Sequence, residues 1–252
     1  MDNLVVSIIT VCFNSETYIK NAIESVLSQS YKHIEYIIID GGSKDGTIDI
    51  IKSFGAKISK FISEPDKGIY DAMNKGLLAA TGDIVGILNS DDFYINNEII
   101  EKIVGHFNTK SIDSVHADLI YVDQFDVSKN IRYWKSSEYS SGAFKTGWHP
   151  AHPTFFVKRD IYLKYGYFDL NFKLAADFEL MLRFIEKHKI STFYIEKPFI
   201  KMRMGGATNK NIKNIINQNI ECYRAFKVNQ LNVSFMYPLY RLVPKIFQFF
   251  KS

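Results

Sequence analysis

Residues 5–13 read VVSIITVCF, an apolar, largely β-branched run broken only by Ser7 and Thr10. A run without polar alternation predicts a strand covered on both faces. Residues 16–30 then place Ile19, Ala22, Ile23, Val26 and Leu27 at helical spacing. The pattern repeats. IEYIIID (34–40) predicts a strand, the segment after Thr47 a helix, KISKFISE (57–64) a short strand, GIYDAMNKGLLAAT (68–81) a helix closing on Gly82, and DIVGILN (83–89) a strand. Strand–helix alternation with short turns predicts an α/β fold, an open, mostly parallel twisted sheet flanked by helices. In such sheets ligands lie beyond the carboxyl ends of the strands. Those ends carry Phe13–Asn14, Asp40–Ser43, Glu64–Asp66 and Asn89–Asp92.

The second half is less regular. Strand-like pieces fall near 114–122 and 131–135, and GWHPAHPTFF (147–156) follows. KLAADFELMLRFIEKH (173–188) predicts an amphipathic helix, and STFYIEKPFIKMR (191–203) one or two strands. After the polar break GGATNK (205–210) comes a C-terminal helical tail. The expected organisation is one domain over 1–209, with a nucleotide half at about 1–95 and an acceptor half at about 96–209. The tail covers 210–252.

With 46% hydrophobic and 23% charged residues, the 252-residue chain has the composition of a folded protein. Two cysteines, Cys12 and Cys222, exclude a disulfide framework and a cysteine zinc site, and fit a reducing compartment. The opening apolar stretch has Asp2 where a basic residue would mark a signal peptide, and no uncharged apolar run reaches membrane-spanning length. The net charge of +4 is too mild to imply nucleic acid. It is unevenly placed. Residues 210–252 hold seven Lys and Arg against Glu221 alone, together with eight Phe and Tyr. A basic aromatic segment suits a membrane surface. It equally suits a helix packed on the domain, or a dimer contact.

LNSDDFY (88–94) sets two adjacent carboxylates after a buried strand. Hard oxygen donors beside a ligand cleft suit Mg²⁺ or Mn²⁺. A turn capping a helix near Asn96 would use the same residues. IIIDGGSKDGT (37–47) ends a strand on Asp40 and lacks the spacing of a dinucleotide fingerprint or P-loop. Asp40 could accept from a base or ribose, or Ser43 could simply cap a turn. In SEPDKGIYDAMNKG (63–76), Asp66 lies at a strand end, and Asp71 and Lys75 form a helical i, i+4 pair. Asp177 and Glu179 open a helix, where a carboxylate either complements the dipole or serves as a base. His149 and His152 flank prolines, which no helix accommodates, and are not expected to form a metal site.

Taken in order, VSIITVCFN, IEYIIIDGGSKDGT, SEPDKGIYDAMNKG, GDIVGILNSDD, HPTFFVKRDIYLKYGYFD and AADFELMLR resemble family 2 glycosyltransferases of the bacterial surface-polysaccharide type. These are inverting enzymes of the GT-A fold, and the match spans about residues 5–205. The resemblance implies nucleotide contacts at Thr10, Phe13, Asn14, Asp40, Ser43, Asp66, Asn89 and Ser90, with Asp40 on a uracil-type base. It implies a metal ligand at Asp91, a Mn²⁺ or Mg²⁺ cofactor, donor contacts at Asp92 and Arg203, and a catalytic base at Asp177. The residues 205–210 would then form a lid with Arg203, or a linker. Two positions depart from the family pattern: Asn89 stands for the first Asp of D-x-D, and Ala176 for the Glu of a Glu-Asp pair.

The implied reaction moves a sugar from a nucleotide donor, UDP-linked by preference, to a hydroxyl of a glycan or lipid-linked acceptor. The implied location is the cytoplasm, peripheral to the inner face of the membrane. Homo-oligomerisation is compatible with this reading, and nucleic acid is no partner. Asn89 and Ala176 would equally suit a non-catalytic nucleotide-sugar-binding subunit. A nucleotidyltransferase would need a Gly-rich basic triphosphate loop, which is missing.

Overall fold

The computed structural model describes residues 3–205, 212–238 and 241. The alternating first half forms β1 (Val6–Cys12), α1 (Ile19–Leu27), β2 (Ile34–Asp40), α2 (Thr47–Ser53), β3 (Lys60–Ser63), α3 (Ile69–Ala79) and β4 (Ile84–Asn89). There follow β5 (Phe93–Tyr94), α4 (Ile99–Thr109), β6 (Ser114–Val122), β7 (Asn130–Trp134), β8 (Phe156–Lys158) and α5 (Arg159–Tyr165). The last elements are α6 (Ala176–Met181), β9 (Thr192–Arg203) and α7 (Ile212–Val228). The predicted 173–188 helix divides: α6 runs on as a π-helical turn at Leu182–Lys187.

One sheet runs in the order β3-β2-β1-β4-β8-β6-β9-β5, with β7 paired to β6. The first four strands are parallel. β8, β5 and β7 pair antiparallel, while β6 and β9 pair parallel. The parallel expectation therefore holds for the first half, and the second half is mixed. β5 and β8 are two and three residues long, too short to carry periodicity. β8 seats against β4 where Gly86 lacks a side chain; a Cβ there would press into the Phe156 ring, 2.6 Å from Cδ1.

The pleat sends alternate residues of β1 into two cores. Val6, Ile8 and Cys12 join Ile19, Ile23 and Val26 of α1 and the apolar face of α4. Ile9 and Val11 join α3, α6 and α7. Cys222, Ala225 and Phe226 of α7 are fully buried, and Tyr237 nearly so. The described part of the tail is thus built into the domain core. Its remaining expected features (Lys210, Tyr240 and residues 242–252) lie outside the described residues, as does the 206–211 segment of the predicted lid.

Glu35 ties the sheet together at the opposite end from the loops. Its carboxylate accepts from Ser7 Oγ at 2.6 Å, Thr81 N and Thr81 Oγ1 at 2.8 Å, and pairs with Lys60 Nζ at 2.8 Å. Burial pushes this carboxyl up, but the Lys60 ammonium and the Ser7 and Thr81 donors outweigh it and hold it at about 2. Glu35→Gln should destabilise the chain by about 1–3 kcal/mol at neutral pH. Because the folded group titrates below its ordinary 4.5, its contribution is complete above that value and fades as pH falls towards about 2. Urea unfolding of both proteins at about pH 7 and pH 3 should show the gap narrowing in acid.

Candidate active site

The parallel register brings the ends of β1, β2 and β4 together: Cys12 lies opposite Asp40, and Val11 opposite Asn89. At the end of β2, Asp40 is fully buried. Its Oδ2 accepts from Gly42 N at 3.1 Å, Ser43 N at 3.0 Å and Ser63 Oγ at 2.7 Å. Its Oδ1 accepts from Ser43 Oγ. Burial raises the carboxyl, yet the donors of Ser43, Ser63 and Gly42 prevail and hold it below its ordinary value. Ser43 Oγ in turn accepts from Asn14 N at 2.8 Å, and Asn14 Oδ1 accepts from Lys44 N at 2.9 Å. Asn14 takes a left-handed conformation (φ 48°) to do so.

Asp40 and Ser43 therefore anchor the loop. Thr10 is also a core residue, fully buried, its hydroxyl 3.1 Å from Tyr36 Oη. Three neighbours face outward instead. Phe13 is 60% exposed. Gly41 lies under the Asp66 carboxylate, which fills the place a Cβ would take, 3.4 Å from the Phe13 ring. Asp66 Oδ1 accepts from Gly68 N at 2.8 Å. Lys75 fixes that turn through Glu64 at 2.8 Å and Pro65 O at 2.9 Å, so the pair expected with Asp71, 4.0 Å apart, is a minor part of its role.

After β4 the chain turns sharply, Asp92 N donating to Asn89 O at 3.1 Å. Asp92 is fully buried; it accepts from Asn89 Nδ2 at 3.0 Å and Arg203 N at 3.3 Å. Burial and then the neighbouring Asp91 charge push Asp92 well above the carboxylate range. It supports the turn and is closed to a sugar hydroxyl. Asp91 is half-buried, and burial pushes it up against the opposing pull of Arg203. Ser90 Oγ is 2.9 Å from Ser15 Oγ, which links the turn to the end of β1.

Arg203 is the last residue of β9 and only 7% exposed. It stacks over Tyr18 at 4.9 Å and Phe93 at 5.0 Å, and its Nη1 donates to Asp91 O at 3.3 Å. It underlies the turn.

A divalent cation would find Asp91, whose carboxylate has no ion-pair partner among the described residues. It would also find Asn89 Oδ1, which is buried and without a hydrogen-bond partner. No cluster of three or more His, Cys, Asp or Glu suits a metal among the described residues. The donor set fits a Mg²⁺ or Mn²⁺ that takes its other oxygens from a diphosphate and water. The Asn89 departure thus keeps an oxygen donor in place.

Asp177 lies in the first turn of α6. Its Oδ1 accepts from Tyr70 Oη at 3.0 Å. Tyr70 stacks on Phe168 at 5.5 Å, and Asn74 brackets Phe168 with two backbone hydrogen bonds of 2.9 Å. Burial and Asp177 push the Tyr70 hydroxyl well up, so it stays a donor. Tyr121, pushed up to about 12 chiefly by burial, feels the charges of both Asp92 and Asp177. These two carboxylates, far apart in sequence, therefore both lie within electrostatic reach of Tyr121. Beside Asp177, His152 is driven towards the neutral form by burial. His149 Nδ1 is 2.9 Å from Pro150 O, and its ring packs edge-on to Trp134 and Phe178. Tyr70 and Tyr121 escaped the sequence reading. Tyr70 even sits inside a quoted motif, but its partner is 107 residues away.

Comparison with known proteins agrees with this geometry. The profile described as Glycosyl transferase family 2 matches residues 7–166. An uncharacterized glycosyltransferase of Rickettsia typhi is 31% identical over 215 residues, 82% of this chain and 66% of that protein, so the match spans about two thirds of its length. Among solved structures, S. aureus TarS 1–349 in complex with UDP-GlcNAc superposes with a TM-score of 0.74 at 17% identity. That match covers 94% of this chain and 69% of the other. The mannosyltransferase PcManGT of Pyrobaculum calidifontis, in complex with GDP-Man and Mn²⁺, gives 0.64 at 17% identity, covering 94% and 68%. At such identities the two structures speak for the fold, which is of the GT-A type. From the profile match and the first relative, the chain belongs to glycosyl transferase family 2.

Proposed function

We propose that the chain transfers a sugar from a UDP-sugar to a hydroxyl of a glycan or lipid-linked glycan, with inversion, in building bacterial surface polysaccharide. The observation that carries this reading is the turn after β4, where the half-buried Asp91 lies beside an unsatisfied Asn89 Oδ1; Asp177, held by Tyr70 at the start of α6, supplies the second carboxylate of the reading. The likeness to TarS, whose structure contains UDP-GlcNAc, supports a UDP donor. The PcManGT complex keeps a GDP-sugar open as the competing donor.

The base is assigned to the shelf made by Phe13, Gly41 and Asp66, with Asn14, Ser43 and Asp40 shaping it from below. Asp66 can accept the N–H of a uracil-type base, and the exposed Phe13 ring offers an apolar face. Asp91 and Asn89 Oδ1 would hold a Mg²⁺ or Mn²⁺, which when bound neutralises charge on the diphosphate. Asp177 takes the proton of the acceptor hydroxyl as that oxygen attacks the anomeric carbon. Tyr70 occupies Oδ1 and so leaves Oδ2 as the basic atom. One displacement at that carbon inverts it. Arg203 fixes the Asp91 backbone, so its role is to position the turn.

No helix among the described residues is long and apolar enough to cross a membrane. The basic aromatic residues 242–252 are proposed to rest on an anionic membrane surface, where a lipid-linked acceptor would be presented. Deleting them should abolish co-sedimentation with anionic vesicles while UDP binding persists. Unchanged sedimentation would remove this part of the reading.

Asp177→Asn should lower kcat by about 100- to 10,000-fold, with UDP affinity unchanged, in assays over a panel of nucleotide sugars with mass-spectrometric product detection. Turnover at the wild-type rate would overturn the assignment of the base. Gly41→Ala should displace Asp66 without disturbing the core. Calorimetry should then show UDP binding weaker by about 10-fold, within the range of one charge-assisted contact. Asp91→Asn should weaken UDP binding only when Mn²⁺ is present.

A further inference from the structure

Asp177 sits at the start of a helix whose own sequence cannot cap it. The residue before α6 is Ala175, and no side chain within the segment bonds to the free N–H groups. Helix N-termini leave such donors unsatisfied unless another group supplies an acceptor. Here α7 supplies an acceptor for the three N–H groups that lead into the helix, 173–175, and leaves those of its first turn to other partners. Both Glu221 carboxylate oxygens receive Lys173 N, at 3.0 and 3.1 Å. Oε2 also accepts from Leu174 N at 2.8 Å and Ala175 N at 2.9 Å. Three successive N–H groups converging on one carboxylate form an anion nest. One turn further along α7, Arg224 donates to Asn171 O at 2.9 Å and lies 4.3 Å over the Phe172 ring. Just after α7, Asn229 donates to Glu179 Oε1 at 2.9 Å, which grips α6 from its other side.

We propose that Glu221 is a positioning residue for Asp177, clamping the 173–175 backbone so that the first turn of α6 holds its carboxylate towards the cleft and Tyr70. The proposal deepens the functional reading above and rests on it. Glu221 is the sole acidic residue of the basic tail and lies outside the stretch the family profile matches. The helix behind it is anchored by Cys222, Ala225 and Phe226, all fully buried, so the clamp is rigid. Glu221, one turn before the buried Ala225 on the same side of α7, thus positions the loop into α6, a role distinct from any membrane contact.

The test uses the full chain and four variants: Glu221→Ala, Glu221→Gln, Asp177→Asn, and Glu221→Ala combined with Asp177→Asn. Release of UDP is followed with whichever donor the panel identifies, and amide exchange is followed over 171–181. Glu221→Ala should lower kcat by about 10- to 100-fold, with KM for the donor within about twofold. In the Asp177→Asn background the same change should cost less than about twofold, because the group it positions is already gone. Glu221→Gln keeps one acceptor oxygen and should fall between, which guards against a folding failure of the alanine variant. Exchange at the 173–175 amides should rise at least ~10-fold in Glu221→Ala. An equal cost in both backgrounds, or unchanged exchange at 173–175, overturns the proposal. Full activity of Asp177→Asn alone removes the base assignment and this role together, and exchange still reads whether the clamp exists.

Discussion

The backbone ladder that sets β1 between β2 and β4 runs in one parallel register, with Cys12 opposite Asp40 and Val11 opposite Asn89. Each of these strands is buried on both faces, so side chains cannot emerge along their length. Chemistry is confined to the ends, and the register makes the ends coincide. Everything that follows depends on that alignment. The Asp40 loop, the Phe13–Asn14 turn and the Asn89–Asp92 turn meet because three strands stop at the same level.

Each of those loops then needs an anchor that can survive burial. Asp40 is acceptable in the interior because Gly42, Ser43 and Ser63 saturate its oxygens. Asp92 is acceptable because it accepts from Asn89 and the Arg203 backbone and is pushed towards its neutral form. In both places one carboxylate is consumed to hold the shape and its neighbour is left outward: Asp66 over Gly41, and Asp91 beside Asn89. In the proposed function, this division of labour between acidic groups is what turns two ordinary turns into a binding surface.

The second half works differently. Short antiparallel strands and a π-helical turn carry few local signals, and the position of Asp177 depends on contacts with α3 and α7. The C-terminal helix is part of the domain here. Its apolar face completes the core and its polar face holds the loop leading into α6.

The β-branched runs and the helical spacing of Ile19, Ala22, Ile23 and Val26 were enough to predict β1 through β4, since local burial pattern and local backbone conformation are the same information. The chain order of acidic strand ends was enough to resemble the right family. Which carboxylate faces outward was not decided locally. Asp40 and Asp66 both read as ligand contacts, and only Ser63, arriving from β3, shows how Asp40 also holds its loop. Arg203 read as a donor contact beside a lid or a linker, and only tertiary packing shows its guanidinium stacked on Tyr18 and Phe93 beneath the turn. The tail read either as a membrane-surface segment or as a helix packed on the domain, and only packing shows Phe226 and Tyr237 in the core and Glu221 on the loop into α6. Strand and helix placement follows from neighbours a few residues away. The occupancy of a lone pair depends on groups brought from dozens of residues away, and tertiary structure alone supplies them.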